Sequence, residues 1–308
     1  MGATSDEFQL ISSFLAGMDR GTAVRLGVGD DAAILALEPF EELVVSSDCA
    51  VAGVHFPAGA DPQLAAYRAV AAAVSDLAAM GARPLAMTLT LAAPESSDTL
   101  FAALQRGLED ASACFSLPLV GGDLVRAPLS LGVQVLGAVP RGEAVRRSGA
   151  SPGERLCVSG SLGDAAAGLA LLEGELTDLP EALQAELLER FWRPRPDLTL
   201  GASLRGRASA MIDVSDGLLA DAEHLARASG VCLRIDSSSI PRSPALSAAV
   251  ESDRALAWAL AGGEDYVLCF TLGGDGDLPP GCTMIGVVEA GEGVKCDRSI
   301  DSRGYRHF

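Results

Sequence analysis

Residues 61–80, DPQLAAYRAVAAAVSDLAAM, and the segment LAMTLTLA at 85–92 decide the fold class between them. The first reads as a helix. Asp61 can cap it, Pro62 suits its first turn, where a missing N–H costs nothing, and Gly81 ends it. The second alternates with the two-residue period of a strand. Working outward, residues 97–114 return to helical spacing and LSLGVQVLGAV at 129–139 reads as another strand. Further on, RLCVSG at 155–160 is an apolar strand running into a glycine turn, and SLGDAAAGLALLEG at 161–174 is a helix. ASAMIDVSDG at 208–217 is a strand ending in an acidic turn, with a helix following to about Ser229. VCLRID at 231–236 and YVLCFTL at 266–272 are further strands. Both halves mix strands and helices without a strict βαβ period, so the class is α+β rather than a doubly wound sheet.

A length of 308 residues suggests two domains at about 100–200 residues each. The polar stretch PRGEAVRRSGASPGE at 140–154, bounded by Pro140 and Pro152, places the boundary: an N-terminal domain over 1–140 and a C-terminal one over 141–308. With 49% hydrophobic residues a core can form, and wholesale disorder is excluded. The 41 acidic residues outnumber the 23 basic ones, for a net charge of −18. That balance disfavours a nucleic-acid binder or an anionic-membrane binder. It leaves a phosphorylated ligand open, provided cations cover the acids. Lys295 is the single lysine, so a P-loop or a kinase strand lysine is impossible in the first 294 residues. The seven cysteines form no C-x-x-C, which argues against a zinc knuckle or a disulfide framework. Most read as small core residues in a reducing compartment. The start MGATSDEFQL lacks the features of a signal peptide, and the alanine-rich stretch 64–82 holds Arg68 and Asp76, so no membrane span is expected. The expectation is a cytoplasmic protein.

Seven carboxylates sit apart from the usual solvated helix face. Asp30 and Asp31 follow GVG, Asp48 follows ELVVSS, Asp123 follows LPLVGG, and Asp213 and Asp216 flank the turn after SAMI. Each reads as the end of an apolar strand, where sites of α/β type collect their ligands. Asp76 lies on a helix among alanines, which would let it approach another element closely. If the seven converge, like charges raise each other's pKa, so they must share protons or hold divalent cations. Mg²⁺ fits that pattern, since it takes one or two carboxylates plus substrate phosphates and keeps waters. Calcium competes, but the twelve-residue loop spacing is absent; scattered surface acids are the remaining reading. The glycine turns LVGGD at 119–123 and CVSGSLGDAAAG at 157–168 could cradle phosphate with backbone N–H groups. Arg147, in RRSGA, reads as a mobile-loop arginine able to reach a phosphate, or as a surface arginine in a linker. His55 could face the same cleft as Asp48 or serve a structural loop, and His224 reads as a helix-surface residue. No cysteine has a clear histidine partner in the sequence, and covalent nucleophile chemistry has little support.

Taken together, GVGDDAA at 27–33, SSDCAVAGVHF at 46–56, VSDLAAMGA at 74–82 and GGD at 121–123 resemble the thiamine-monophosphate kinases, and RRSGA at 146–150, IDVSDGL at 212–218, GGEDY at 262–266 and GYRHF at 304–308 continue the match. That family sits in the superfamily of aminoimidazole-ribonucleotide synthetase and selenophosphate synthetase. The order covers nearly the whole chain. The resemblance implies a two-domain fold of aminoimidazole-ribonucleotide synthetase type, a homodimer pairing its N-terminal domains, and ATP in a cleft between domains. It implies transfer of the ATP γ-phosphoryl group to thiamine monophosphate with several Mg²⁺ ions, the last step of thiamine diphosphate synthesis. By motif position, Asp31, Ser46, Ser47, Asp48, Asp76, Asp123, Asp213 and Asp216 resemble the metal ligands, with Asp31, Asp76, Asp213 and Asp216 catalytic and Asp30 adjacent. Gly122, Asp123, Arg147 and Ser215 resemble nucleotide contacts, and His55, Glu264 and Tyr305 resemble substrate contacts. Glu264 is alternatively a turn carboxylate, and Tyr305 an anchor for the tail.

The chain departs from the family pattern at three places. Ala73 and Val74 precede Ser75 where an asparagine is common, Leu124 and Val125 follow GGD where threonines are usual, and Ser47 stands where threonine is common. Rival readings are a sister synthetase forming an acyl- or iminophosphate, and a non-catalytic metal-binding protein that keeps the fold.

Overall fold

The computed structural model describes Phe14 and residues 17–298. The chain divides into two compact units. One comprises the described residues up to Leu77 with Ala82–Gly142, and the other Ala78–Gly81 with the described residues from Glu143 on. No helix among the described residues is long and apolar enough to cross a membrane.

In the first unit, β1 (Val24–Leu26) and β2 (Ile34–Leu35) form a small antiparallel pair. The main sheet has four strands in the order β3 (Glu41–Val51), β6 (Ser130–Pro140), β4 (Arg83–Ala93), β5 (Leu119–Arg126). β3 and β4 run antiparallel to β6, and β5 runs parallel to β4. That parallel pair is joined by α2 (Asp98–Phe115), because parallel neighbours need a crossover. Ser97 caps α2 by accepting the Leu100 N–H, and Ser116 closes it in the left-handed region. α1 (Pro62–Ala79) carries the residues read as helix, and Ala65, Ala66, Ala69, Val70, Ala73 and Val74 are buried. Its small side chains allow close packing. The Tyr67 ring lies 5.8 Å from Phe115 of α2, and Gly137 of β6 lies beneath Leu77.

β3 and β5 are the sheet edges. The strands extend further than the sequence suggests. β3 pairs residue for residue with β6 from Glu41 to Val51, so Asp48 lies inside the strand, not at its end. Likewise LVGGD is strand, not a phosphate-cradling turn: Gly122 pairs with Leu89 and Asp123 with Thr90. The register slips by one residue between Met87 and Leu89, a bulge that a glycine-rich stretch accommodates.

The second unit holds a six-stranded sheet in the order β12 (Gly293–Cys296), β9 (Cys232–Ile235), β11 (Thr283–Glu289), β7 (Arg155–Val158), β10 (Leu268–Leu272), β8 (Ala208–Asp213). Only β12 and β9 are parallel. Period-two alternation divides its side chains between two cores. Leu156, Val158, Ile212 and Cys269 pack with Leu218 and Leu225 of α6 (Leu218–Ser229). Cys157, Met211, Leu268 and Phe270 pack on the other side with Leu204. The remaining helices are α3 (Asp164–Leu172), α4 (Glu181–Trp192), α5 (Leu198–Ser203), α7 (Pro244–Ala249) and α8 (Ser252–Ala261). Exposed Lys295 sits on the edge strand β12, opposite Arg234 of β9. The seven cysteines are free thiols. Cys157, Cys232 and Cys269 are buried, but Cys49 and Cys114 are exposed, so fewer belong to the core than expected.

Candidate active site

In the first unit, β3 carries Ser46, Ser47 and Asp48, and α1 carries Asp76. Ser46 Oγ donates to Asp76 Oδ2 at 2.5 Å, so β3 and α1 meet at two of the expected residues. Alternation places Ser46 and Asp48 on one side of β3 and Ser47 on the other, with the exposed Leu43 and Val45. Asp48 Oδ1 accepts the N–H of Cys49 at 2.7 Å. Asp30 and Asp31 are exposed in the loop before β2, and Asp30 Oδ1 accepts the Asp31 N–H. Asp123 is exposed on β5. His55 is partly buried in the loop after β3, where its Nδ1 accepts the Val51 N–H at 3.0 Å. That bond leaves the outer Nε2 as the protonated nitrogen of the neutral ring.

In the second unit, β8 ends on Asp213, 4% exposed, as the sequence suggests. The chain then turns through Val214–Ser215–Asp216–Gly217 into α6. Asp221, in the first turn of α6, folds back beneath that turn. Its Oδ2 accepts the backbone N–H groups of Ser215, Asp216 and Gly217 at 3.0, 3.0 and 3.1 Å. Burial, then the charges of Asp213 and Asp216, pushes its pKa up to about 7. From the other side, GGEDY closes on the same turn: the Glu264 N–H donates to Ser215 O at 2.7 Å and the Tyr266 N–H to Val214 O at 2.9 Å. Glu264 and Tyr266 both adopt positive φ, 61° and 51°. Side chains resist that conformation, so the surrounding contacts must hold it. Tyr266 accordingly lies outside the strand expected to begin there.

Asp265 lies between those two residues. Its Oδ2 accepts the Gly163 N–H at 2.7 Å and its Oδ1 the Ala165 N–H at 3.2 Å. The turn before α3, expected to cradle phosphate, is thus filled by a carboxylate of the chain itself. Asp265 keeps some surface on a cavity wall while its carboxyl turns inward, and burial pushes its pKa up to about 7 against the pull of those two N–H donors. The cavity holds about 470 Å³ and is lined by Ser159, Asp164, Arg190, Arg193, Arg195 and Asp265 among others. Arg147 is exposed, but its segment is fastened rather than loose. Ser229 Oγ donates to Arg147 O and accepts from Gly149 and Ala150, and the Met211 N–H donates to Arg146 O. Tyr305 lies outside the described residues.

The model of the AIR synthase related protein N-terminal domain matches residues 29–139, and that of its C-terminal domain matches 151–275. Thiamine-monophosphate kinase of Salmonella typhimurium is 40% identical over 98% of both chains. The chain belongs to the thiamine-monophosphate kinase family. Its mixed α/β, two-domain architecture is the one the motifs imply. Among solved structures, thiamine-monophosphate kinase from Stenotrophomonas maltophilia matches with a TM-score of 0.86 at 42% identity, covering 94% of this chain and 96% of that one. AaThiL complexed with AMPPCP and TMP matches with a TM-score of 0.81 at 31% identity, over 98% and 96%.

For a thiamine-monophosphate kinase, this arrangement adds residues that the sequence did not single out. Asp221 lies five residues after Asp216, and Asp265 lies inside GGEDY, but each acts on backbone N–H groups that no side-chain pattern reveals. The cavity arginines come from ERFWRPRP at 189–196, a concentration of guanidinium that composition alone could have flagged. Within neither unit do three described His, Cys, Asp or Glu side chains gather closely enough to hold a metal ion.

Proposed function

We propose that this chain transfers the γ-phosphoryl group of ATP to thiamine monophosphate, giving thiamine diphosphate and ADP. The observation that carries the reading is the end-to-end likeness to thiamine-monophosphate kinases, among them a protein complexed with AMPPCP and TMP. The chemistry suits the residues. The acceptor is itself a phosphate, ionised near pH 7, so no strong base is needed; phosphoryl transfer depends on positioning and charge neutralisation. The expected ligands Asp31, Ser46, Ser47, Asp48, Asp76, Asp123, Asp213 and Asp216 offer oxygen alone. Oxygen donors of this kind suit Mg²⁺, which takes one or two carboxylates and completes its shell with water and substrate phosphates. Bound Mg²⁺ would screen the approaching phosphates from each other.

Ser46 orients Asp76, and the turn at Ser215 and Asp216 presents a hydroxyl and a carboxylate from a fastened backbone. Arg147 contributes a guanidinium to the nucleotide phosphates, alongside Gly122, Asp123 and Ser215. His55, Glu264 and Tyr305 meet the acceptor. A homodimer is supported by β3, an edge strand among the described residues, where Leu43 and Val45 are 48% and 51% exposed on an eleven-residue strand. Exposed, unlinked Cys49 and Cys114 suit the cytoplasm.

Incubation with Mg²⁺, ATP and thiamine monophosphate should yield thiamine diphosphate; ATP binding without that product would overturn the reading. In calorimetric titrations, Glu264→Gln and Tyr305→Ala should weaken thiamine monophosphate binding much more than ATP binding. Equal losses for both ligands would return these residues to structural roles.

A further inference from the structure

Three consecutive backbone N–H groups, those of Ser215, Asp216 and Gly217, converge on the single oxygen Oδ2 of Asp221. Successive N–H groups pointing to one place form a concavity suited to an anion. Here the chain supplies the anion itself, from a carboxylate only 3% exposed. The opposite side of the turn is held by Glu264 N–H on Ser215 O, and Gly263 packs so tightly there that a Cβ would come within 2.6 Å of that oxygen. With its N–H groups turned in to Asp221 and one carbonyl engaged by Glu264, the turn has little freedom to rotate. What it leaves partly exposed is Ser215 and Asp216.

We propose that Asp221 is a positioning residue: by holding the three N–H groups it sets the direction in which Ser215 and Asp216 meet the nucleotide and its metal. This rests on the phosphoryl-transfer reading above, but it makes a claim about the backbone that can be measured without turnover. Asp221→Ala removes the acceptor; Asp221→Asn keeps a carbonyl oxygen in its place.

Amide hydrogen exchange on the ligand-free protein should be faster at 215–217 in Asp221→Ala, with the core of the second sheet unchanged, and near the wild-type rate in Asp221→Asn. With wild type active, kcat of the alanine variant should fall by about a hundredfold, the scale for a small misplacement of reacting groups. The Mg²⁺ concentration needed for half-maximal activity should rise, and KM for thiamine monophosphate should hold. Asparagine should recover most of both. Unchanged exchange at 215–217 in Asp221→Ala would overturn the proposal, as would a loss of kcat that tracks only the amount of folded protein. If wild type makes no thiamine diphosphate, the phosphoryl-transfer reading fails, while the exchange experiment still decides whether Asp221 holds the turn.

Discussion

Alanine at Gly122 would place a Cβ 2.0 Å from the carbonyl oxygen of Leu89 and 2.9 Å from its carbonyl carbon. An ordinary contact starts near 3.4 Å, so the oxygen stands about 1.4 Å too close. Leu89 cannot yield easily, because β4 is an inner strand bonded to β6 on one side and β5 on the other. The edge strand β5 must move instead, taking Asp123 with it. Overpacking of this kind costs about 1–3 kcal/mol. Next door, a Cβ on Gly121 meets nothing within 4 Å, and its φ is not positive, so Gly121→Ala should stay within about 0.5 kcal/mol of wild type. Urea unfolding of the two variants, followed with the ATP KM of each, gives the comparison. Gly122→Ala should unfold at lower urea with an unchanged slope and bind ATP more weakly, while Gly121→Ala matches wild type. Equal midpoints for both variants would refute the strand placement of LVGGD and restore it as an open turn.

Asp76→Asn and Asp216→Asn should each abolish turnover without unfolding the protein; near-normal activity in both at saturating Mg²⁺ would defeat a metal role for these carboxylates. Arg147→Ala should cost about 1.5–3 kcal/mol in kcat/KM for ATP, and lysine should restore only part, because the guanidinium fork is lost. An unchanged kcat/KM would make Arg147 a surface residue. Asp265 has its pKa raised to about 7 in the folded state. The folded chain therefore holds a proton that the unfolded chain releases near pH 4, and this contribution to stability is present at low pH and lost as pH rises through 7, at no more than about 1.4 kcal/mol per pH unit. Melting temperatures of the ligand-free protein should accordingly fall between pH 5 and 8, and Asp265→Asn should flatten the slope; parallel curves would show that Asp265 does not titrate there.

The periodic parts of the fold were legible. α1, α2, β4, β6, β8 and α6 lie where helical or alternating spacing places them, since their burial pattern is written directly in side-chain type. Gly121 and Gly122 misled, because glycine signals a turn by its freedom, whereas both lie in β5 and Gly122 serves there by its lack of a side chain. No element was expected over 175–207 or 237–261, and there the structure holds α4, α5, α7 and α8. The acids at Asp76, Asp213 and Asp216 stood out by their apolar settings. Asp221 and Asp265 did not, because their partners are N–H groups common to almost every residue and only the fold selects which ones.

The solitary lysine turns the outermost strand of the second sheet into a clock. A lysine-specific endoprotease has one peptide bond in the whole chain to cut, that between Lys295 and Cys296. The bond lies inside β12, paired along β9, and a protease needs its substrate extended and detached. Each cleavage event therefore counts a departure of β12 from the sheet. A single band cut on a gel, timed with and without nucleotide, reads the local opening of one strand against a background in which no other bond can respond.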